Sequence, residues 1–305
     1  MPLTAGISYT LNEGGKKDQK AVILIHGTGG SHLDWPADFR RLKDHTVYAI
    51  DLPGHGRSTL PGCQSVQEYG EALLEFLAAL GRFQAVFVGH SLGAAIALYL
   101  ALEFPQHVAG LGLFSAAACF DVPPALVEYL SNPASAELGI RLIQEQFFGN
   151  RSDSPLAART LNALKKIRSS VLYGDWLACS RFDIRQRVRE IQAPAYIACG
   201  SEDRLTPLAR SRFLAENIPL ARLDIIPAAG HLLPLEQPAR LAARLSRFLD
   251  DLHSALHNPA LRVRVGNPDE ADEPRGHRVP GFADHECSRR ELVALLQDAH
   301  AEDEG

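Results

Sequence analysis

Short apolar runs and longer helix-like segments take turns along this chain, and that alternation restricts the fold more than any other feature. Ala21-Val-Ile-Leu-Ile25 is apolar at every position, as a strand buried on both faces must be. Similar runs follow at Thr46–Ile50, Ala85–Val88, Val108–Phe114, Ala195–Cys199 and Arg222–Ile226. Between them the pattern predicts helices over Ser65–Leu80, Leu92–Glu103, Pro207–Asn217 and Pro238–His253. The second and last of these carry apolar residues three and four apart, which predicts amphipathic helices. Ile7–Leu11, ahead of Gly14-Gly15, reads as an early antiparallel strand joined by a hairpin. The expected fold class is α/β: a mostly parallel, doubly wound sheet covered by helices on both faces.

Two stretches break the rhythm. Residues 118–192 are helical in pattern without a convincing strand, and Pro123-Pro124, Asn132-Pro133, Gly149-Asn150 and Ser154-Pro155 punctuate them. They read as an inserted helical lid over the carboxyl edge of the sheet, splitting the core into 1–117 and 193–257. Residues 258–305 read as a C-terminal extension. Asn258–Gly281 holds four prolines and three glycines and reads as a linker or an irregular segment, and Ser288-Arg-Arg-Glu291 has capping-box spacing ahead of an expected short helix over 288–300.

Charge places the imbalance in that extension. From Ser254 onward there are six Arg and no Lys against eleven Asp and Glu, leaving 25 basic and 25 acidic residues in 1–253. No basic patch suggests nucleic acid or an anionic membrane, and no apolar run is long enough to span a bilayer. The acidic run Asp269–Glu273 reads as a solvated face. Five scattered cysteines without C-x-x-C spacing fit reduced thiols, and the first 17 residues lack a signal-peptide pattern, so a soluble cytoplasmic protein is expected. His277, His285 and Cys287 lack the spacing of metal ligands; no metal and no organic cofactor are expected.

The chemistry is carried by Gly89-His90-Ser91-Leu92-Gly93, which ends one strand pattern and opens a helix pattern. A G-x-S-x-G in that setting is a nucleophile elbow: the turn is too tight for side chains two residues either side of the serine. A serine hydroxyl needs a base, and the base needs an orienting carboxylate. His231, in Ala229-Gly-His-Leu-Leu-Pro234, and Asp203, in Gly200-Ser-Glu-Asp-Arg-Leu-Thr-Pro207, each follow a strand in the required order, with Glu202 as a rival carboxylate. His26-Gly27-Thr28-Gly29-Gly30 follows the first buried strand, and its glycines let backbone N–H groups face a developing oxyanion. The Thr28 and Leu92 N–H groups are the expected pair.

These features resemble the α/β-hydrolase superfamily over roughly residues 5–253. Asp51-Leu-Pro-Gly-His-Gly-Arg-Ser58 resembles its D-x-P-G-x-G-x-S loop, and Tyr173–Asp183 resembles the lid-to-core return of esterase and enol-lactonase-like members with a helical lid. The resemblance implies that the Asp51–Ser58 loop is structural, with no catalytic role for Asp51 or His55, and it supports Ser91, Asp203 and His231 position by position. It does not extend to the C-terminal residues. The expected activity is hydrolysis of a small-molecule ester, lactone or thioester with a mainly apolar acyl part. A C–C bond (diketone) hydrolase using the same three residues, and a ligand-binding protein with little or no turnover, are the alternatives. Phe147, Phe148, Leu172 and Trp176 stand at helical spacing in the lid, which leaves two readings open: acyl pocket or lid core.

Overall fold

The computed structural model describes residues 1–15, 19–148 and 154–257. The expected extension, with its helix over 288–300, lies outside the described residues. Eight strands form one sheet: β1 (Leu3–Thr4), β2 (Ile7–Glu13), β3 (Ala21–Ile25), β4 (Thr46–Ile50), β5 (Ala85–His90), β6 (Val108–Phe114), β7 (Ala195–Gly200) and β8 (Ala221–Ile226). Their order is β1-β2-β4-β3-β5-β6-β7-β8. All neighbours from β4 to β8 run parallel.

β2 is the early antiparallel strand expected, and its hairpin lies on its N-terminal side, away from Gly14-Gly15. It pairs antiparallel with β4, Tyr9 opposite Ile50, and not with the strand that follows it in the chain. Its hairpin partner is the two-residue β1, turned through Ala5 and Gly6, both at positive φ.

The central strands are buried throughout, and the period of two sends alternate residues to opposite faces. Ile23, Ile25, Phe87, Leu111, Leu113 and Ile197 face one core, against α2 (Val66–Ala79), α3 (Leu92–Glu103) and α8 (Leu208–Asn217). Val22, Leu24, Val86, Val88, Tyr196 and Ala198 face the other, against the short α1 (Ala37–Arg40) and α10 (Pro238–His257). α2 begins where expected: the Glu68 N–H donates to the hydroxyl of Ser65 at 3.1 Å. α10 is amphipathic as expected, its Leu241, Leu245, Phe248 and Leu252 turned to the sheet. α3 is not. Nine of its twelve residues, Leu92–Ala101 except Tyr99, are buried, because the helix packs against the sheet, α2 and α7 and meets solvent only near its C-terminal end.

Among the described residues of 118–192 the chain forms four α-helices, α4 (Pro124–Ser131), α5 (Ala136–Phe148), α6 (Pro155–Leu164) and α7 (Ser169–Arg181). Leu126, Leu130, Ile143, Phe147, Leu164, Leu172 and Trp176 make a small core of their own, joined by Leu232 from the loop before α9 (Leu233–Glu236). That shared cluster seats the insertion beside the carboxyl ends of the strands, where β5, β7 and β8 release their loops.

Candidate active site

Gly89 and Gly93 explain the geometry of the turn between β5 and α3. A Cβ on Gly89 would lie 2.1 Å from the Gly93 carbonyl oxygen, and one on Gly93 would lie 2.2 Å from that of Ile25. No side chain fits at either place. Ser91 between them adopts φ 54° and ψ −114°, a region that L-residues rarely occupy. Its own N–H is taken by the Phe114 carbonyl at 3.0 Å. The next amide, that of Leu92, opens α3, where first-turn N–H groups have no intrahelical acceptor.

The structure brings Ser91, His231 and Asp203 into one buried hydrogen-bonded row. Ser91 Oγ lies 3.0 Å from His231 Nε2, and His231 Nδ1 lies 3.0 Å from each oxygen of Asp203. Asp203 also accepts the Leu205 and Thr206 N–H groups at 3.0 and 2.9 Å and the Thr206 hydroxyl at 2.8 Å. Burial pushes its carboxyl pKa up, but the His231 ring and these donors outweigh burial and hold it below the ordinary 3.8. With Asp203 ionised, the proton of the neutral imidazole sits on Nδ1, and Nε2 presents its lone pair to the serine hydroxyl. The rival carboxylate, Glu202, is exposed, and its N–H bonds the Ala229 carbonyl.

Three supports of this row have no individual sequence signal. His90 donates from Nε2 to the His231 carbonyl at 2.8 Å, and the Ser115 hydroxyl donates to the same oxygen at 3.0 Å. Burial and the neighbouring His231 ring push the His90 pKa down to about 3, so the ring is neutral at physiological pH. Thr206 is the third support. His90 is the variable position of the pentapeptide, and Thr206 lies in the loop that contains Asp203; both stand inside the motifs, but nothing in the motifs names their partners.

A cleft opens over Ser91. Thr28, Trp35, Phe147, Leu164, Leu232 and Leu235 line it, with Asp34, Arg159 and Thr160 as its more polar members. Thr28 therefore sits on the same cleft as the serine, and among the described residues its N–H has no backbone acceptor. Phe147 stacks on the His231 ring, with centroids 5.2 Å apart and planes at 28°. Trp176 is placed differently. It is not on the cleft wall; it lies in the lid core behind Phe147, ring centroids 6.4 Å apart and 2% exposed. Leu172 is in the same core. The side chain of Phe148 lies outside the described residues. Among the described residues no group of three or more His, Cys, Asp or Glu is arranged to hold a metal, and no helix is long and apolar enough to cross a membrane.

A family model described as the alpha/beta hydrolase family matches residues 22–244. The chain belongs to that family. The match runs from β3 into α10 and spans the elbow, the insertion and both loops that carry Asp203 and His231. Relatives of this alpha/beta hydrolase differ in their named substrates. A Caulobacter sp. (strain K31) protein provisionally named carbamate hydrolase RutD is 28% identical over 256 residues, covering 80% of this chain and 96% of that protein. The 3-oxoadipate enol-lactonase 1 of Acinetobacter baylyi is 25% identical over 254 residues, covering 81% and 95%. The solved structure of a thermophilic esterase superposes with a TM-score of 0.67 at 28% identity, covering 81% of this chain and 98% of the other.

Proposed function

We propose that this alpha/beta hydrolase cleaves a small carbonyl substrate, an ester, lactone or thioester, through an acyl-enzyme on Ser91. The observation that carries the reading is the 3.0 Å approach of Ser91 Oγ to His231 Nε2, with Asp203 bonded to the far side of the ring.

In the proposed reaction His231 Nε2 takes the Ser91 proton as Oγ attacks the carbonyl carbon. Asp203 holds the ring orientation and stabilises the imidazolium that forms. The Thr28 and Leu92 N–H groups bind the oxyanion; a donor of this kind is worth about 10²–10³ in rate. When the tetrahedral intermediate collapses, the bond to the leaving group breaks and His231 returns the proton to it. Water then attacks the acyl carbon, again deprotonated by His231, releasing the acid and restoring Ser91. The apolar walls at Trp35, Phe147, Leu164 and Leu232 suit an acyl group that is mainly hydrocarbon. The relatives named for an enol-lactone, an ester and a carbamate present the same kind of target, a carbonyl bearing a heteroatom leaving group. Phe147 covers the row on the lid side, and each of these steps uses only groups of this chain and water.

The test is turnover of a short p-nitrophenyl ester by Ser91→Ala beside the wild-type protein. Loss of turnover in a variant that keeps the wild-type unfolding curve supports the reading; wild-type turnover by Ser91→Ala refutes it. Labelling of the wild-type protein by a fluorophosphonate separates an active hydrolase from a ligand-binding protein that has lost turnover.

A further inference from the structure

The best-knit polar cluster outside the reacting row is built from residues that the proposed reaction does not use. Asp175 lies on lid helix α7 and is fully buried. Its Oδ2 accepts the Gly29 N–H at 2.7 Å and His55 Nε2–H at 2.9 Å, and its Oδ1 accepts the Tyr69 hydroxyl at 2.5 Å. The other ring nitrogen of His55 donates to the Pro53 carbonyl at 3.0 Å. With Asp175 ionised, both partners of His55 are acceptors, so both ring nitrogens carry hydrogen and the ring is an imidazolium. The electrostatics agree. Burial pushes the His55 pKa down, but the Asp175 charge and the hydrogen bonds hold it above 6.5. Burial pushes Asp175 up, but His55, Tyr69 and the Gly29 N–H hold it below 3.8.

The geometry gives this ion pair a use. A peptide group is planar, so fixing one of its polar atoms fixes the direction of the other. The Gly27–Thr28 peptide is held through the Gly27 oxygen, which accepts His26 Nδ1–H at 2.8 Å and the Gly30 N–H at 3.1 Å. The Thr28–Gly29 peptide is held through the Gly29 N–H, and the acceptor that holds it belongs to the lid. Gly29 itself is at φ 62°, a conformation that glycine adopts without strain and that lets its N–H turn to the lid. Thr28 is thus clamped on both sides, once by the core and once by the insertion.

We propose that Asp175, paired with His55, is a positioning residue that pins the Thr28–Gly29 peptide from the lid, fixing the far side of Thr28 while the core holds the peptide that carries its N–H, and so keeps that N–H aimed at the oxyanion. The inference rests on the proposed acyl-enzyme reaction. It also gives the Asp51–Ser58 loop a purpose, because that loop delivers the cation that keeps a lid carboxylate charged beside the oxyanion loop. His55 and Asp175 act on the reaction only through Gly29.

The test compares Asp175→Asn with the wild-type protein on a p-nitrophenyl butyrate substrate. Rates are expressed per active site titrated with a fluorophosphonate, so a partly unfolded sample does not count as a slow one. The expected result is a fall in kcat of about 10- to 100-fold, in the range that displacing a group by about an ångström costs, with KM changed less than about threefold. The affinity for an alkyl trifluoromethyl ketone, whose adduct with serine carries an oxyanion, is expected to fall by the same factor as kcat/KM. Wild-type kcat per titrated site, a change in KM alone, or unchanged ketone affinity beside a reduced kcat overturns the proposal. If Asp175→Asn does not fold, His55→Gln and Tyr69→Phe carry the test, each with an expected loss in kcat of about 3- to 10-fold at constant KM; wild-type kcat in both overturns it. A wild-type protein that neither turns over the ester nor takes the label refutes the acyl-enzyme reading instead, so the two failures are distinct.

Discussion

Replacing Thr206 by valine removes one hydroxyl from the environment of Asp203 and leaves the shape of the side chain almost unchanged. Thr206 is 1% exposed and donates to Asp203 Oδ2 at 2.8 Å. The carboxylate keeps the His231 ring and the Leu205 and Thr206 N–H groups, so one of several donors is lost. A hydrogen bond to a buried charged group is worth about 1.5–3 kcal/mol. The cost depends on the charge. Asp203 has a depressed pKa in the folded protein, so its contribution to stability is present above the unfolded value of 3.8 and is lost as pH falls through the folded value. Thr206→Val gives up part of that contribution. Urea unfolding is expected to show the variant less stable by about 1.5–3 kcal/mol at pH 7, with a deficit that narrows as pH falls below about 4, followed to the lowest pH at which both proteins fold. The kcat for ester hydrolysis is expected to drop by about tenfold or less, because the carboxylate that orients His231 is held less firmly. No deficit at pH 7 would show that the hydroxyl contributes nothing. A deficit independent of pH would assign it to packing and refute the electrostatic reasoning.

Gly93→Ala places a Cβ 2.2 Å from the Ile25 carbonyl oxygen and 2.7 Å from that of His26. Both are backbone atoms, one of β3 and one of the residue that follows it, so chemical denaturation is expected to report a loss of about 3 kcal/mol or more, and unchanged stability would disprove the crowding account of the elbow. Burial raises the Asp34 carboxyl to about 6, against the opposing Ser31 N–H and Arg159 charge. Its favourable contribution is therefore full below 3.8 and lost as pH rises through about 6, which asparagine cannot reproduce. Asp34→Asn is expected to gain on the wild-type protein by about 1–2 kcal/mol between pH 4 and pH 7, less than full linkage because the side chain is only half-buried; a melting-temperature difference constant with pH would contradict this. Truncation after His257 is expected to leave ester hydrolysis largely intact, since the row and its cleft lie between His26 and Leu235; loss of soluble protein would overturn it.

The elbow was legible in the sequence because its residues form one short pattern, although the backbone that excludes a side chain at Gly93 belongs to Ile25 and His26, far off in the chain. Gly89 and Gly93 stand two residues from Ser91. Asp203 and His231 were legible for a related reason: each follows a strand pattern, and parallel strands deliver their loops to one edge. What stayed hidden depends on long-range pairing. The partner of β2 is β4, set by register across the sheet and not by chain order. α3 shows the limit of spacing alone: apolar residues three and four apart suggested one buried face, whereas the helix is apolar on nearly every side from Leu92 to Leu102, as a helix covered all round is. The Asp175 bonds to His55 and Gly29 join positions 120 and 146 apart in the chain, and nothing local to Asp175 marks its partners. The lid aromatics show the same limit. Helical spacing leaves Phe147 and Trp176 open between acyl pocket and lid core, and only packing puts Phe147 against His231 and Trp176 in the layer behind it.

The most direct test of the account is the site of covalent modification when a fluorophosphonate abolishes ester hydrolysis, located by mass spectrometry of the digested protein. The account expects one adduct per chain, on the peptide that contains Ser91, appearing in step with the loss of activity and absent from Ser91→Ala. Complete inactivation with the adduct on another residue, or ester hydrolysis that persists while Ser91 is fully modified, would contradict it.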